Sequence, residues 1–446
     1  MLTIYTVEQA EKTILRRDSA FLFDETEMSD GAKAASQRIH GEILTPEQGV
    51  RRILQRVRRE GDGALRHWTA VLDGVELDSF HVDPASIQNA LTSIDPELRS
   101  AMEFAAGRIE QFHRFQPLPD WTTTEMGGIL GQRVTPIERV GVYVPGGTAP
   151  LPSSLLMGVI PAKVAGVQSI VVATPPDKNG NVPDVILAAA AIAGVDEIIT
   201  LGGAQAIGAM AFGTESVNRV DKIVGPGSLF VTLAKRQVYG IVGIDGLYGP
   251  TETVVVADDS ADPVWVAADL LAQAEHDVLA TAILFTPSKE FANAIVAEIE
   301  AQFDELSRKE ILMQSLARQS GIVITQDMDE ACALASQFAA EHTCIACENP
   351  EQYIDKIPNA GGLFVGERSF EVLGDYVAGP SHTMPTGATA RFASPLNVSD
   401  FVKISSIIRL DDETSAKLSP IAAKIAFAEQ LDGHANAALK RVLKKG

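Results

Sequence analysis

The sequence predicts an α/β fold built on parallel sheets, and three observations support this prediction. Short apolar stretches alternate with helix-patterned stretches from Gly141 to Gly240, and a second alternation of the same design runs from Thr251 to Cys347. Three of the first set of strands run directly into glycine, in PGG, LGG and GPG. Short buried strands that alternate with helices are typical of parallel sheets covered on both faces. We therefore expect two doubly wound, Rossmann-like α/β domains, with helical segments at both ends of the chain.

The N-terminal part, up to about residue 135, is predicted to be helical and irregular. Thr45-Pro46-Glu47-Gln48 indicates a helix start, because threonine is a good N-cap, proline fits the first turn and glutamine stands three residues after the cap. The run VRRILQRVRREGDGALRHW then carries apolar residues at helical spacing. Nothing in this part indicates chemistry by itself.

The first alternation predicts the strands GVYV, SIVVA, DEIIT and DKIV with helices between them. Ligands of open parallel sheets bind beyond the carboxyl ends of the strands, where PGG, LGG and GPG lie. One such glycine is usually a tight turn, whereas three at the same structural place favour a ligand crevice. The motif G-x-G-x-x-G is absent, so this is not the standard dinucleotide fingerprint.

The second alternation predicts the strands ETVVVA, ATAILF, GIVIT and HTCIAC, and from about Pro395 the chain is expected to be helical again. The tail, ending KIAFAEQLDGHANAALKRVLKKG, is too short for a domain. Its apolar face needs a cover, either the rest of the chain or a partner subunit. The predicted boundaries are residues 1–30 for an N-terminal helical arm, 31–138 with 251–395 for the first α/β domain, 139–250 for the second, and 396–446 for the tail.

Composition narrows the class of protein. The chain has 446 residues and a formal net charge of −21, which argues against nucleic acid or an anionic membrane as a partner. The most apolar stretch is interrupted by Pro161, Lys163 and Gln168, and the first residues lack the order of a signal peptide. Three cysteines do not indicate a disulfide framework. We expect a reduced, cytoplasmic protein.

Four histidines in the second half of the chain lie beside unusual polar neighbours. Gln273 and His276 close an apolar helix-patterned run and share a helix face, and Glu341 directly precedes His342. His382 and Asp375 lie in the loop GDYVAGPSHTMPTG, and His434 follows Glu429 by five residues. These types of side chain can bind Zn²⁺ with a base beside it. The alternative is that each histidine is half-buried and bonded to a neighbour. H-E-x-x-H is absent, so spacing alone identifies no site.

Several longer segments resemble the histidinol dehydrogenase family, most densely from Val140 to Ala438. They are VYVPGGTAPLPSS, LGGAQAIGAMAFGTES, DKIVGPG, AKRQV, GPTE, ADLLAQAEHD, EHT, GDYVAGPSHTMPTG and AEQLDGHANA. The resemblance implies a zinc- and NAD-dependent homodimer with one Zn²⁺ per subunit. It implies oxidation of an amino alcohol, L-histidinol, through the aldehyde to L-histidine with two NAD, the last step of histidine biosynthesis.

The resemblance also implies a role for each polar cluster. Gln273, His276 and Asp375 would bind zinc in the first α/β domain, and His434 would bind it from the partner's tail. His342 would be the base, and Glu341 would activate water for the second oxidation. Thr251, His382 and Glu429 would bind the substrate together with His342 and the zinc ligands. The second α/β domain would bind NAD through Tyr143, Gln205 and Ser228.

Four positions depart from the family pattern: Ser228 stands where Asn is usual, Thr251 where Ser is usual, Tyr248 adds an aromatic ring, and Ser381 replaces Asn in some members. These departures allow a paralogue that oxidises another amino alcohol or a sulfonated diol. Glu429 argues against the diol, because a carboxylate repels a sulfonate. A zinc hydrolase with Glu341 as base is a third hypothesis. Cys344 and Cys347 form C-x-x-C, which we interpret as buried core in preference to a redox pair.

Overall fold

The computed structural model describes residues 2–17, 28–146, 149–195 and 197–442. It confirms the predicted fold class, with parallel sheets enclosed by helices. The chain forms two compact units: unit 1 contains Met1–Phe115 and Glu138–Phe401, and unit 2 contains Gln116–Ile137 and Val402–Gly446. The domain boundaries expected from the sequence stay predictions. Within them, residues 18–27 of the N-terminal arm and Gly147 of the PGG loop lie outside the described residues.

The strands are, in chain order, β1 (Ile4–Thr6), β2 (Trp121–Thr123), β3 (Ile129–Pro136), β4 (Arg139–Tyr143), β5 (Ser169–Thr174), β6 (Glu197–Thr200), β7 (Lys222–Val224), β8 (Gly243–Ile244), β9 (Glu252–Ala257), β10 (Thr281–Thr286), β11 (Gly321–Ile324), β12 (His342–Ala346), β13 (Gly362–Val365) and β14 (Val402–Arg409).

The helices are, in chain order, α1 (Val7–Glu11), α2 (Asp30–His40), α3 (Pro46–Glu60), α4 (Asp62–Trp68), α5 (Pro84–Ser93), α6 (Pro96–Arg114), α7 (Pro152–Val164), α8 (Asp184–Ala193), α9 (Gly203–Phe212), α10 (Leu229–Val238), α11 (Pro263–Ala274), α12 (Lys289–Phe303), α13 (Lys309–Arg318), α14 (Met328–Phe338), α15 (Glu371–Tyr376), α16 (Asp412–Ala428) and α17 (Asp432–Val442). A π-helical turn, Thr69–Asp73, follows α4. No helix among the described residues is both long and apolar enough for a membrane span.

Unit 1 contains two parallel sheets. The six-stranded sheet has the order β1-β11-β10-β9-β12-β13, and the five-stranded sheet has the order β6-β5-β4-β7-β8. The apolar runs of the central strands are buried on both faces, as parallel strands require. Alternate residues of β9 pack into different cores: Val255 lies in one cluster, while Val254 and Val256 lie in the other. The edge strand β1 is absent from the sequence prediction, because three residues carry too little periodicity to indicate a strand.

Local signals in the N-terminal part act as expected. Thr45 caps α3 and forms a capping box with Gln48, and Pro46 occupies the first turn. The apolar face of α3, with Ile53 and Leu54, then packs into the core of the five-stranded sheet. This packing holds α3 against the five-stranded sheet.

Unit 2 contains a three-stranded antiparallel sheet, β14-β3-β2, and the helices α16 and α17. The sequence prediction of helix from about Pro395 is wrong for Val402–Arg409, which is a strand that pairs with β3 along its whole length. The run VKISSIIR is rich in β-branched residues, which favour a pleated strand over a helix. Its isoleucines Ile404 and Ile408 are exposed in the single chain.

A buried ion pair holds the glycine loop that follows β7. Lys235 Nζ lies 2.5 Å from Asp245 Oδ1, and both side chains are almost completely buried. Lys235 also donates to the carbonyl of Gly225 at 2.8 Å, and Asp245 Oδ2 accepts from the N–H of Gly225 at 2.6 Å. Gly225 has φ 110°, and a Cβ here would collide with the carbonyl oxygen of Tyr143. The loop therefore requires glycine for two independent reasons.

Gly225→Ala is expected to destabilise the protein more than Gly240→Ala. Gly240 also has a positive φ, 97°, but a Cβ at that position meets nothing within 4 Å. Gly240→Ala therefore costs about 1 kcal/mol of backbone strain, whereas Gly225→Ala adds a backbone collision and costs at least about 2 kcal/mol more. Urea unfolding of both variants measures this difference. Equal free energies of unfolding would contradict the proposed constraint.

Candidate active site

Two neighbouring parallel strands, β9 and β12, bring a carboxylate and an imidazole to the same edge of the six-stranded sheet. In the register of the pair, His342 lies opposite Thr253. Glu341, one residue earlier, therefore reaches the segment that precedes β9. Its Oε2 accepts from Thr251 Oγ1 at 2.7 Å and from the N–H of Glu252 at 3.3 Å. The site lies at the amino ends of these strands, opposite to the usual place in open parallel sheets.

His342 is 3% exposed and lies between two carboxylates. Its Nδ1 is 3.7 Å from Glu341 Oε2, and its Nε2 is 3.6 Å from Asp375 Oδ1. Neither ring nitrogen has a hydrogen-bond partner in the described part of the chain. A buried polar group without a partner is costly, and such groups often belong to functional sites. The imidazole is therefore free to exchange a proton with a bound molecule.

Burial and the charges of the site shift the pKa values of both Glu341 and His342. Burial alone lowers the pKa of His342, but the carboxylates of Glu341, Asp375 and Glu371 outweigh burial and raise this pKa. Burial raises the pKa of Glu341 to about 7, and the charge of His342 and the hydrogen bond from Thr251 oppose this rise. These shifts favour a protonated imidazole beside a carboxyl group whose pKa lies near neutrality.

The end of α11 brings Gln273 and His276 to the same place. Asp262 caps the start of this helix, and Gln273 lies buried in its last turn. Gln273 Oε1 lies 3.2 Å from Thr251 Oγ1, so the threonine touches both the amide and Glu341. His276 follows the helix end, where its N–H donates to the carbonyl of Gln273 at 3.2 Å. Its side chain is exposed on unit 1. Desolvation by nearby protein atoms lowers the pKa of His276, and the charge of Asp375 opposes this.

Asp375 and His382 complete the group in unit 1. Asp375 lies on the short helix α15, where the sequence suggested only a loop. Its carbonyl accepts from His382 Nδ1 at 2.7 Å, so Nε2 of His382 is the acceptor that faces Ser154 Oγ at 3.4 Å. Burial raises the pKa of Asp375, but the charges of His342, His382 and His276 outweigh burial and lower it. Asp375 is thus an ionised carboxylate surrounded by imidazoles.

The donor set suits a zinc ion. An amide oxygen, an imidazole and an ionised carboxylate are borderline and hard donors of the kind that Zn²⁺ accepts. Across residues 2–17, 28–146, 149–195 and 197–442, no group of three or more His, Cys, Asp or Glu side chains is arranged to hold a metal ion. Of the three zinc ligands predicted in unit 1, only His276 and Asp375 are of these four residue types, because Gln273 is an amide. His434 and Glu429 lie in unit 2, where both side chains are exposed.

The residues expected on the nucleotide side follow strands of the five-stranded sheet. Tyr143 ends β4, and its Oη accepts from the N–H of Gly203 at 3.1 Å. Gln205 lies in the first turn of α9 and is fully buried. Ser228 is exposed at the start of α10, and its side chain caps no backbone N–H there. These three residues therefore lie at carboxyl ends of strands, where the glycines predicted a crevice.

Sequence reasoning missed two further carboxyl groups, those of the buried Glu371 and the half-buried Asp269. Glu371, one helical turn before Asp375, accepts from Thr253 Oγ1 at 2.8 Å and from Cys344 Sγ at 3.0 Å. Cys344 is buried and burial raises its pKa, in agreement with its interpretation as a core residue. Asp269 lies one turn before Gln273 on α11. The spacing of four residues between Asp269 and Gln273, and between Glu371 and Asp375, is the sequence signal that could have found them.

Asp269→Asn is expected to stabilise the protein, and more at pH 8 than at pH 5. Burial, followed by the carboxylates of Glu371 and Glu367, raises the pKa of Asp269 to about 7. When the pKa of a carboxyl group is higher in the folded state than in the unfolded state, the free energy of unfolding falls as the pH rises from the unfolded-state pKa to the folded-state pKa, here about 7. An amide carries no such penalty, so the gain in melting temperature at pH 8 should be at least about 2 °C. A gain that is equal at both pH values would contradict this account.

The chain is similar to known proteins along nearly its whole length. The sequence model of the family described as histidinol dehydrogenase matches residues 37–442. A histidinol dehydrogenase of Dehalococcoides mccartyi (strain CBDB1) is 48% identical over 436 residues, which cover 97% of this chain and 98% of the relative. A histidinol dehydrogenase of Deinococcus radiodurans is 48% identical over 422 residues, covering 94% of this chain and 96% of the relative.

A solved structure extends this similarity to the fold. The crystal structure of histidinol dehydrogenase from Elizabethkingia anophelis superimposes with a TM-score of 0.89 at 35% sequence identity, covering 99% of this chain and 98% of that one. The resemblance read from the sequence segments is thus confirmed. The chain belongs to the histidinol dehydrogenase family, a family of NAD-dependent oxidoreductases.

Proposed function

We propose that this chain oxidises L-histidinol through L-histidinal to L-histidine with two NAD, as the last step of histidine biosynthesis. The observation that carries the proposal is the buried His342 between Glu341 and Asp375, whose two ring nitrogens lack hydrogen-bond partners among the described residues. A dehydrogenase of an alcohol needs a base for the hydroxyl proton, and an imidazole is the usual one. Membership of the family supports the same substrate.

His342 acts first in the proposed sequence. In its neutral form it removes the hydroxyl proton of the bound alcohol at a ring nitrogen, and NAD, when bound, would accept the hydride. The raised pKa makes the neutral imidazole a stronger base and reduces the fraction of it that is neutral. The adjacent carboxylate of Glu341 stabilises the imidazolium that forms. Burial of His342 excludes bulk water from this proton transfer.

Glu341 acts in the second oxidation, where water must add to the bound aldehyde. Its pKa of about 7 lets the carboxylate accept a proton from water near neutral pH. The hydroxyl of Thr251 and the N–H of Glu252 orient one carboxylate oxygen and leave the other for water. One base and one water activator, side by side at the start of β12, can therefore serve both steps.

The remaining residues bind the substrate and the cofactors. Gln273, His276 and Asp375 bind Zn²⁺, together with His434 from the second subunit of a homodimer; the ion, when bound, holds and polarises the substrate. Thr251, His382 and Glu429 contact the substrate, the last from the second subunit. Tyr143, Gln205 and Ser228 bind NAD. The exposure of His276 in the single chain supports a site that a second subunit completes.

Two departures from the family pattern give no structural reason to expect a different alcohol. Tyr248 is buried and packs on Lys235, with Nζ 4.8 Å from the ring centre. Ser381 is 1% exposed, and its Oγ accepts from the N–H of Thr383 at 3.3 Å. Both side chains are buried in contacts within the protein and therefore add no exposed functional group for a substrate to bind. Thr251 keeps the hydroxyl that a serine would provide.

Purified protein with L-histidinol and NAD is expected to form two NADH per histidinol, and a zinc chelator should abolish the reaction. The progress curve at 340 nm measures the stoichiometry, and added Zn²⁺ should restore the rate. Oxidation of other amino alcohols or of a sulfonated diol, without oxidation of histidinol, would establish the paralogue. A ratio of one NADH per histidinol would refute the second step assigned to Glu341.

Mixed dimers test whether His434 acts in the partner's site. His434→Ala and His276→Ala chains are each expected to be inactive as homodimers. If the tail crosses, a one-to-one mixed population contains about half heterodimers with one intact site each, and regains about a quarter of the wild-type activity. Mass spectrometry under native conditions confirms the mixing. Absence of recovery in confirmed heterodimers would contradict the crossing.

A further inference from the structure

Asp73 lies in a part of the chain where the sequence indicated no chemistry. It is the last residue of the π-helical turn Thr69–Asp73, and such turns are rare and are frequently found at functional sites. The side chain extends to the carboxyl end of β6, where the position of a Cβ on Gly202 would be 3.5 Å from Asp73 Oδ1. Asp73 is half-buried, and burial raises its pKa to about 6, so it is mainly ionised at neutral pH.

The carboxylate of Asp73 fixes the orientation of a buried amide. Gln205 Nε2 donates to Asp73 Oδ2 at 3.1 Å, and Gln205 is fully buried. A reversed amide would place Oε1 against the carboxylate, where the two oxygens repel each other and no hydrogen bond forms. Asp73 thus determines which end of the amide faces it and which end faces away.

The other end of the amide has no hydrogen-bond partner among the residues that the structure describes. Gln205 Oε1 is buried without a hydrogen bond, and it lies beside the LGG turn, 2.9 Å from the position of a Cβ on Gly203. Tyr143 Oη holds the N–H of Gly203 in the same turn. A buried acceptor without a donor, at the carboxyl end of a parallel strand, indicates a ligand that supplies the donor.

We infer that Asp73 is a positioning residue of the nucleotide site: it orients the Gln205 amide so that Oε1 accepts from a hydroxyl or amide N–H of the dinucleotide. This inference rests on the proposed contact between Gln205 and NAD. Asp73 itself need not touch the ligand. Its effect should therefore disappear when Gln205 is removed.

A double-mutant cycle with NADH as the probe tests this dependence. The variants are Asp73→Ala, Gln205→Ala and the double variant, and Glu76→Ala is the control because Glu76 is a nearby exposed carboxylate. Asp73→Ala is expected to raise the Kd of NADH and the KM of NAD about tenfold, as the loss of a charge-assisted hydrogen bond predicts. The KM of histidinol and the values of the control should change less than about twofold. In the Gln205→Ala background, Asp73→Ala should change the Kd of NADH by less than about twofold.

The outcomes of the cycle distinguish the positioning role of Asp73 from the proposed contact between Gln205 and NAD. An equal effect of Asp73→Ala in both backgrounds, or an equal rise in the KM of histidinol, would overturn the positioning role. Normal NADH binding by Gln205→Ala would instead refute the proposed contact of Gln205 with NAD. Asp73→Asn, which keeps the size and an acceptor oxygen, should bind NADH with an affinity between those of wild type and Asp73→Ala. If Asp73→Ala does not fold, wild-type affinity of Asp73→Asn overturns the inference.

Discussion

The parallel pairing of β9 with β12 is the constraint on which the candidate site depends. This register places His342 opposite Thr253 and Glu341 against Thr251 and Glu252, so that one threonine contacts both the proposed catalytic carboxylate and a proposed zinc ligand. A shift of one residue would turn His342 to the other face of the sheet. The apolar residues that alternate along β9 and β12 therefore fix the chemistry as well as the fold, because they bury each face in its own core.

The second constraint is electrostatic. His342, Asp375, Glu341 and Glu371 lie close together in a poorly solvated environment, and each carboxylate depends on the imidazole for compensation. Such an arrangement costs stability and is typical of functional sites. The five-stranded sheet shows a related arrangement, in which the buried pair Lys235–Asp245 holds the backbone of Gly225. In both sheets, buried charge fixes the position of groups at strand ends.

The fold class was predictable because buried parallel strands appear as continuous apolar runs between helices. The strand β14 was not, because it lies in a short tail whose flanking segments are helical. No spacing rule brings Gln273, Glu341 and Asp375 together, since their convergence depends on tertiary structure; the family resemblance supplied that set. Asp73 carried no signal in the sequence, because its role depends on contact with Gln205, which is 132 residues away.

The central claim is that Gln273, His276 and Asp375 converge on one cation beside His342. X-ray diffraction from crystals grown with zinc, measured on both sides of the zinc absorption edge, tests it most directly. The account predicts one anomalous peak per subunit, about 2.0–2.2 Å from Gln273 Oε1, an imidazole nitrogen of His276 and a carboxylate oxygen of Asp375. A zinc peak elsewhere, with these three side chains bound to no ion, would contradict it.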